Sequence, residues 1–161
     1  MKLLSMRCLA AFIGIFFLTI GGIIYMLYRT QSLLVFHLAD NLGLTTWITH
    51  LRHDAPILNV SGWVVYSLPG GLWAAAYILI IEAITHPWPQ KKRMLWASSI
   101  PVCGIISELL QVIDFLPGTF DIIDVICYSV PLMLYIQLTS CLKQKDRCTQ
   151  IISSHPSSNI E

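Results

Sequence analysis

Long apolar runs separated by short polar segments dominate the chain. Four runs reach the length of about 20 residues that a helix needs to cross a bilayer. They cover residues 8–28, 57–84, 94–113 and 120–141. The pattern predicts an all-α fold, a polytopic membrane bundle of four transmembrane helices.

The segment between the first two runs, residues 30–56, is too polar to span a bilayer. Residues at helical spacing fall there in two groups: Leu34, His37, Leu38 and Leu42, then Trp47, Ile48 and Leu51. Such spacing predicts two short amphipathic helices lying in the membrane interface. We expect Trp47 at the depth of the lipid headgroups, where indole rings are enriched.

The four spans predict one transmembrane domain, residues 1–148. A cytoplasmic tail, residues 149–161, contains Ser and Pro without periodicity and is predicted to be disordered. Each of the last three spans has a proline near its middle, which predicts kinks at Pro69, Pro101 and Pro131. We expect the sharpest bend in the second span, where Gly70 and Gly71 follow the proline.

Composition supports a membrane environment. Hydrophobic residues make up 55% of the chain and charged residues 12%, with a mean hydropathy of +0.67. A soluble domain carries about 25% charged residues. The net charge of +1 gives no bulk electrostatic attraction to nucleic acid. Because the composition favours a membrane environment, membrane lipids are the expected partners. A homo-oligomer stays compatible with a chain of this size.

Basic residues cluster next to three parts of the chain: Lys2 and Arg7, then Lys91, Lys92 and Arg93, then Lys143, Lys145 and Arg147. Cytoplasmic loops carry an excess of Lys and Arg. The distribution therefore predicts that both termini and the loop between the second and third spans are cytoplasmic. An even number of spans agrees with that orientation.

The stretch GIISELLQVIDFLPGTFDIIDVICY, residues 104–128, is apolar but rich in carboxylates. A charged side chain inside a bilayer costs about 2.5 to 3.5 kcal/mol on insertion scales and usually faces a cavity. Glu108 lies about four turns into the third predicted helix, too deep to cap it. Gln111 shares its face, because residues three apart on a helix are neighbours. Asp121 and Asp124 share a face of the fourth helix in the same way.

Pro117 and Gly118 fit the two central positions of a type II turn. Such a turn makes the third and fourth helices antiparallel neighbours and predicts a single outward-facing pocket. Its expected members are Glu108, Gln111, Asp121 and Asp124, with Tyr128 one turn deeper and Tyr66 from the second helix. The alternative for Asp121 is a helix cap, and Asp114 is expected simply at the water interface.

These residues carry a family resemblance. Glu108-Leu109-Leu110-Gln111, a short loop with Pro117-Gly118, and then Asp121-Ile122-Ile123-Asp124 resemble the signature of VanZ-like membrane proteins. The chain departs from the usual pattern at Tyr128, where an Asn normally stands. The resemblance implies a small bundle in the bacterial cytoplasmic (inner) membrane and an envelope-related role connected with glycopeptide resistance.

Three functions fit the pocket. The favoured one is a binding or accessory role toward a lipid headgroup, a cell-wall precursor or a glycopeptide. The alternatives are a membrane-embedded enzyme acting on a lipid-linked substrate through a Glu/Asp acid–base pair, and a small proton- or cation-coupled carrier. No cofactor motif is recognisable. His50 and His53 are weak candidates for a metal pair, because they share a predicted helix face.

Overall fold

The computed structural model of the chain describes residues 2–28, 40–54 and 61–154. Within these ranges the regular structure is helical, without strands. The principal helices are α1 (Lys2–Tyr28), α2 (Thr45–Asp54), α3 (Gly62–Tyr66), α4 (Leu68–Thr85), α5 (Gln90–Val112) and α6 (Ile122–Ser154).

Four of these helices are long and apolar enough to cross a bilayer. The candidate spans are Met6–Tyr28, Leu68–Thr85, Gln90–Val112 and Ile122–Gln144. Their exposed surfaces carry large apolar side chains such as Phe12, Leu95 and Met133, as expected of surfaces that face lipid. The all-α fold class predicted from the sequence is confirmed, and the chain is a multi-pass membrane protein.

α4 is the central helix of the bundle. It contacts α1 on one side and both α5 and α6 on the other, and α5 also packs on α6. Glycines allow close approach to α1: a Cβ at Gly14 would lie 3.1 Å from the Ala76 carbonyl oxygen, and one at Gly21 would lie 2.6 Å from the Trp73 indole nitrogen. Small residues of this kind mark helix contacts in membranes.

The second predicted span differs from the sequence prediction. A single helix was expected over 57–84, bent at Pro69 near mid-membrane. The structure instead interrupts the helix at Ser67, so that Pro69 lies in the first turn of α4. A proline is tolerated there because its missing N–H would have no intrahelical partner anyway. The mid-helix position predicted for Pro69 is therefore wrong.

The other two prolines lie inside uninterrupted helices. Pro101 falls within α5 and Pro131 within α6, and Pro101 is fully buried. Each removes the donor for the carbonyl four residues earlier. The Cys127 carbonyl, which Pro131 deprives of its donor, lies against Gly71 of α4. The carbonyl freed by Pro131 therefore lies in the contact between α4 and α6.

The ends of the predicted elements also shift. α6 continues to Ser154, so residues 149–154 of the predicted disordered tail are helical, and the rest of that tail lies outside the described residues. The interfacial helix predicted around Trp47 is present as α2, and Trp47 is 71% exposed. Most of the other predicted interfacial helix, including His37, lies outside the described residues.

Candidate functional site

α5 ends in a defined backbone motif beside the predicted pocket. The Phe115 amide donates to the Leu110 carbonyl at 3.1 Å, and the Asp114 amide donates to the Gln111 carbonyl at 3.2 Å. These two bonds form a Schellman cap, with Asp114 as the left-handed residue at φ 53°. Asp and Asn tolerate that conformation better than most residues. Asp114 is exposed, and it therefore ends the helix without entering the pocket.

The loop after this cap differs from the predicted type II turn. Gly118 has a φ of 149°, whereas the second central residue of a type II turn has a φ near +80°. The tight reversal is instead the helix cap at residues 113–114, followed by a bend over 115–118. Gly118 also lets the loop pack on the Gln111 amide, because a Cβ there would lie 2.7 Å from the Gln111 oxygen. The turn type was predicted wrongly, but the glycine is required.

Asp121 caps the last helix. Its Oδ1 accepts a hydrogen bond of 2.8 Å from the Ile123 amide, one residue into the first turn of α6. This is the N-cap arrangement that stabilises a helix start. Asp124 lies in that first turn, where a carboxylate also gains from the helix dipole. The preference for carboxylates at a helix N-terminus thus places both at the loop end of the α5–α6 hairpin.

An open cavity of about 560 Å³ lies at this end of the bundle. Residues from α3, α5, the loop and α6 line it: Gly62, Trp63, Tyr66, Glu108, Gln111, Gly118, Thr119, Asp121, Ile123 and Asp124. The lining includes five of the six residues predicted for the pocket. The sixth, Tyr128, is not part of it.

Glu108 is the most buried charged residue of the cavity, with 7% of its surface exposed. Its Oε1 accepts a long hydrogen bond of 3.5 Å from the Gln111 side chain, and the Asp121 backbone N–H also lies close to the carboxylate, but the buried Oε2 accepts no hydrogen bond of good geometry from the described residues. Asp121 and Asp124 are both close enough to interact with it electrostatically. A buried polar atom without a partner is costly and rare in folded proteins. Glu108 is therefore a buried, incompletely hydrogen-bonded carboxylate in the lining of an open cavity.

Tyr128 lies outside the cavity lining, between α4 and α5. Its ring lies between two glycines: a Cβ at Gly104 of α5 would lie 3.1 Å from three ring atoms, and a Cβ at Gly70 of α4 would lie 2.9 Å from the hydroxyl. The ring is also near enough to Asp124 and Glu108 to interact with both electrostatically. Tyr128, predicted as a pocket residue, therefore packs closely against Gly70 and Gly104 and does not line this cavity.

A second polar cluster, at the opposite end of the bundle, was missed in the sequence. Arg93 of α5 forms an ion pair of 3.1 Å with Glu82 of α4, and Glu82 also accepts a hydrogen bond of 2.8 Å from the Tyr135 hydroxyl. Nearby, the Gln90 side chain donates to the Thr139 carbonyl at 3.4 Å. The sequence signal for this ion pair was Glu82, which precedes Arg93 by eleven residues across a short Pro-rich loop. These contacts tie together α4, α5 and α6.

The two histidines proposed as weak metal candidates lie on α2. His50 and His53 share a separate open cavity of about 500 Å³ with Thr45, Thr46 and Thr49. In the part of the chain that the structure describes, no three His, Cys, Asp or Glu side chains are grouped closely enough to hold a metal ion. This pair therefore gains no third ligand from the described residues.

Comparison of the chain with family models, curated proteins and solved structures finds no match. The resemblance to VanZ-like proteins therefore stays a prediction from the quoted motif residues.

Proposed function

We propose that the chain is a VanZ-like envelope protein whose acidic cavity faces outward and binds a lipid headgroup, a cell-wall precursor or a glycopeptide. The observation that carries the proposal is Glu108, a carboxylate with 7% of its surface exposed and an incompletely hydrogen-bonded Oε2, in the lining of an open cavity. The outward orientation rests on the basic residues beside the other end of the bundle and on the positive-inside rule. By the same rule both termini are inside, and the resemblance to VanZ-like proteins supports a bacterial cytoplasmic membrane.

Binding is favoured over transport by the close packing of Tyr128 and by the contacts at the opposite end of the bundle. Tyr128 fills the gap between α4 and α5, and the Glu82–Arg93 pair holds the opposite end together. A carrier has to expose its site to each side of the membrane in turn. Packing of this kind supports a site that opens to one side.

One observation favours a membrane-embedded enzyme as the second candidate. Glu108 is buried and Asp124 is partly exposed, although both line one cavity. Two carboxylates in different environments can divide the roles of acid and base. An enzyme would convert its lipid-linked ligand on incubation, whereas a binding protein would return it unchanged, so chromatography of the ligand after binding separates the two functions.

The proposal is tested by complementing a strain that lacks the protein. Glu108→Gln and Asp124→Asn preserve size and remove charge, so they should abolish the restoration of glycopeptide tolerance and lipid composition by the wild-type chain. Asp114→Asn is the matched control, because this exposed carboxylate lies outside the cavity. Full complementation by both cavity variants at normal abundance would refute the proposal.

A further inference from the structure

The cavity is strongly acidic. Glu108, Asp121 and Asp124 contribute three carboxylates, and none of the described lining residues is basic. Two aromatic side chains, Trp63 and Tyr66, stand in the same wall with about half of their surface exposed. Carboxylates combined with aromatic faces are the surroundings in which proteins hold organic ammonium groups.

A bare metal ion fits these observations less well. The cavity of about 560 Å³ has the size of a small-molecule site. Within the described residues, no three of its acidic side chains are grouped closely enough to hold one ion. A ligand that reaches the Glu108 Oε2 and also contacts the aromatic wall has to be larger than a cation.

An apolar groove lies between α4 and α6. It encloses about 310 Å³ and is lined from α4 by Leu68, Gly71, Leu72 and Ala75, and from α6 by Ile126, Cys127, Val130, Pro131 and Leu134. Its lining has no charged side chain. Two of its four α4 residues, Gly71 and Ala75, are small, which leaves room for a chain of methylene groups.

The cavity and the groove are lined by the same face of α6. Ile123 and Asp124 line the cavity, and Cys127, Val130 and Leu134 follow at steps of three and four residues. Residues at this spacing share a helix face. From Ile123 to Leu134 the helix rises about 16 Å, since each residue adds about 1.5 Å. The hydrocarbon half of a bilayer is about 15 Å thick, so the cavity and the groove together match one leaflet in depth.

We propose that this composite site binds one membrane lipid whose headgroup ends in an ammonium group. The ammonium is paired with Glu108 in the acidic cavity, beside Trp63 and Tyr66, and one acyl chain lies in the α4–α6 groove. The inference rests on the proposed function, because it names the ligand class of the same cavity.

The test measures equilibrium binding to the full-length chain in detergent micelles. The probes are short-chain phosphatidylethanolamine, its N-acetylated derivative, short-chain phosphatidylglycerol, and glycerophosphoethanolamine, which keeps the amine but has no acyl chains. Wild type should prefer the free amine over the N-acetyl lipid by at least about tenfold, and Glu108→Gln should remove that preference. Val130→Trp fills the groove and should weaken the chained amine lipid at least about tenfold without affecting glycerophosphoethanolamine. Ile136→Trp, an exposed position of α6 outside the groove lining, is its control.

Each other outcome contradicts a defined part of the reasoning. Equal binding of the free and N-acetylated lipids would overturn the ammonium inference and leave the proposed function standing. Equally tight binding of glycerophosphoethanolamine and the chained lipid would overturn the inference that the groove holds an acyl chain. It would point to a water-soluble amine as the ligand. Failure of every probe, together with complementation by Glu108→Gln, would overturn both the inference and the proposed function. The comparison between probes uses the wild-type chain, so it holds even if a variant fails to fold.

Discussion

Replacing Gly71 with alanine should force α4 away from α6. A Cβ at this position would lie 2.9 Å from the carbonyl oxygen of Cys127 and 3.0 Å from its Cβ. The obstructing oxygen belongs to the backbone of a long helix, so it cannot rotate away as a side chain could. The helices would have to separate by several tenths of an ångström along their contact.

The size of the effect follows from two opposing contributions. Overpacking a close contact costs about 1 to 3 kcal/mol. Alanine in place of glycine within a helix gains up to about 1 kcal/mol. Gly22 of α1 is a matched control, because a Cβ there meets nothing within 4 Å. Since the helix propensity gain is common to both variants, Gly71→Ala should be less stable than Gly22→Ala by about 1 to 3 kcal/mol.

Thermal unfolding of the purified full-length chain in nanodiscs provides the assay. For a domain of this size, 1 kcal/mol shifts Tm by about 2 to 4 °C, so the two variants should differ by about 2 to 12 °C. Gly22→Ala should unfold at or slightly above the wild-type temperature. A Tm for Gly71→Ala equal to that of Gly22→Ala would show that α4 and α6 do not approach each other as described.

Three further changes test other parts of the fold. Single cysteines replace Thr45 or Gln90 in a cysteine-free background. In intact cells, an impermeant thiol reagent should label position 45 and not position 90. The reverse labelling pattern would contradict the proposed topology. Asp121→Ala should lower stability by about 1 kcal/mol through loss of the helix cap. Thermal unfolding compares it with Asp114→Asn, which should keep the wild-type Tm. Equal Tm values for the two variants would argue against the cap. Arg93→Met should lower stability by about 1 to 3 kcal/mol, because it leaves the partly buried Glu82 carboxylate without its ion-pair partner. A wild-type Tm for this variant would contradict that ion pair.

The sequence predicted those features that depend on one helix at a time. Hydropathy located the four spans because each requires only a long apolar run. Helical spacing placed Glu108 beside Gln111 and Asp121 beside Asp124 for the same reason. The short connection then brought the two pairs together, and this step held even though the turn type at Gly118 was wrong. The cavity lining was thus largely predictable from spacing and loop length.

Features that depend on contacts between helices were not predictable in this way. Tyr128 lies near the carboxylates in sequence, but only the opposing glycines, Gly70 and Gly104, show that its ring is a packing element. The Glu82–Arg93 pair joins residues on different helices, so the spacing along either helix alone does not predict it. Pro69 was expected to bend a helix, whereas the interruption at Ser67 places it in a first turn, where it causes no conflict.

The central claim is that an acidic site containing Glu108 is accessible from the aqueous side of the cavity. It is tested most directly by replacing Glu108 with cysteine after all five native cysteines have been changed to serine. The rates of modification by cationic and anionic methanethiosulfonate reagents are then compared in intact cells. Each rate is divided by that of the exposed reference Thr46→Cys. The normalised cationic rate should exceed the anionic rate by at least about tenfold, because Asp121 and Asp124 concentrate cations in the cavity. A cysteine at position 108 that does not react, or that reacts equally with both reagents, would contradict the account.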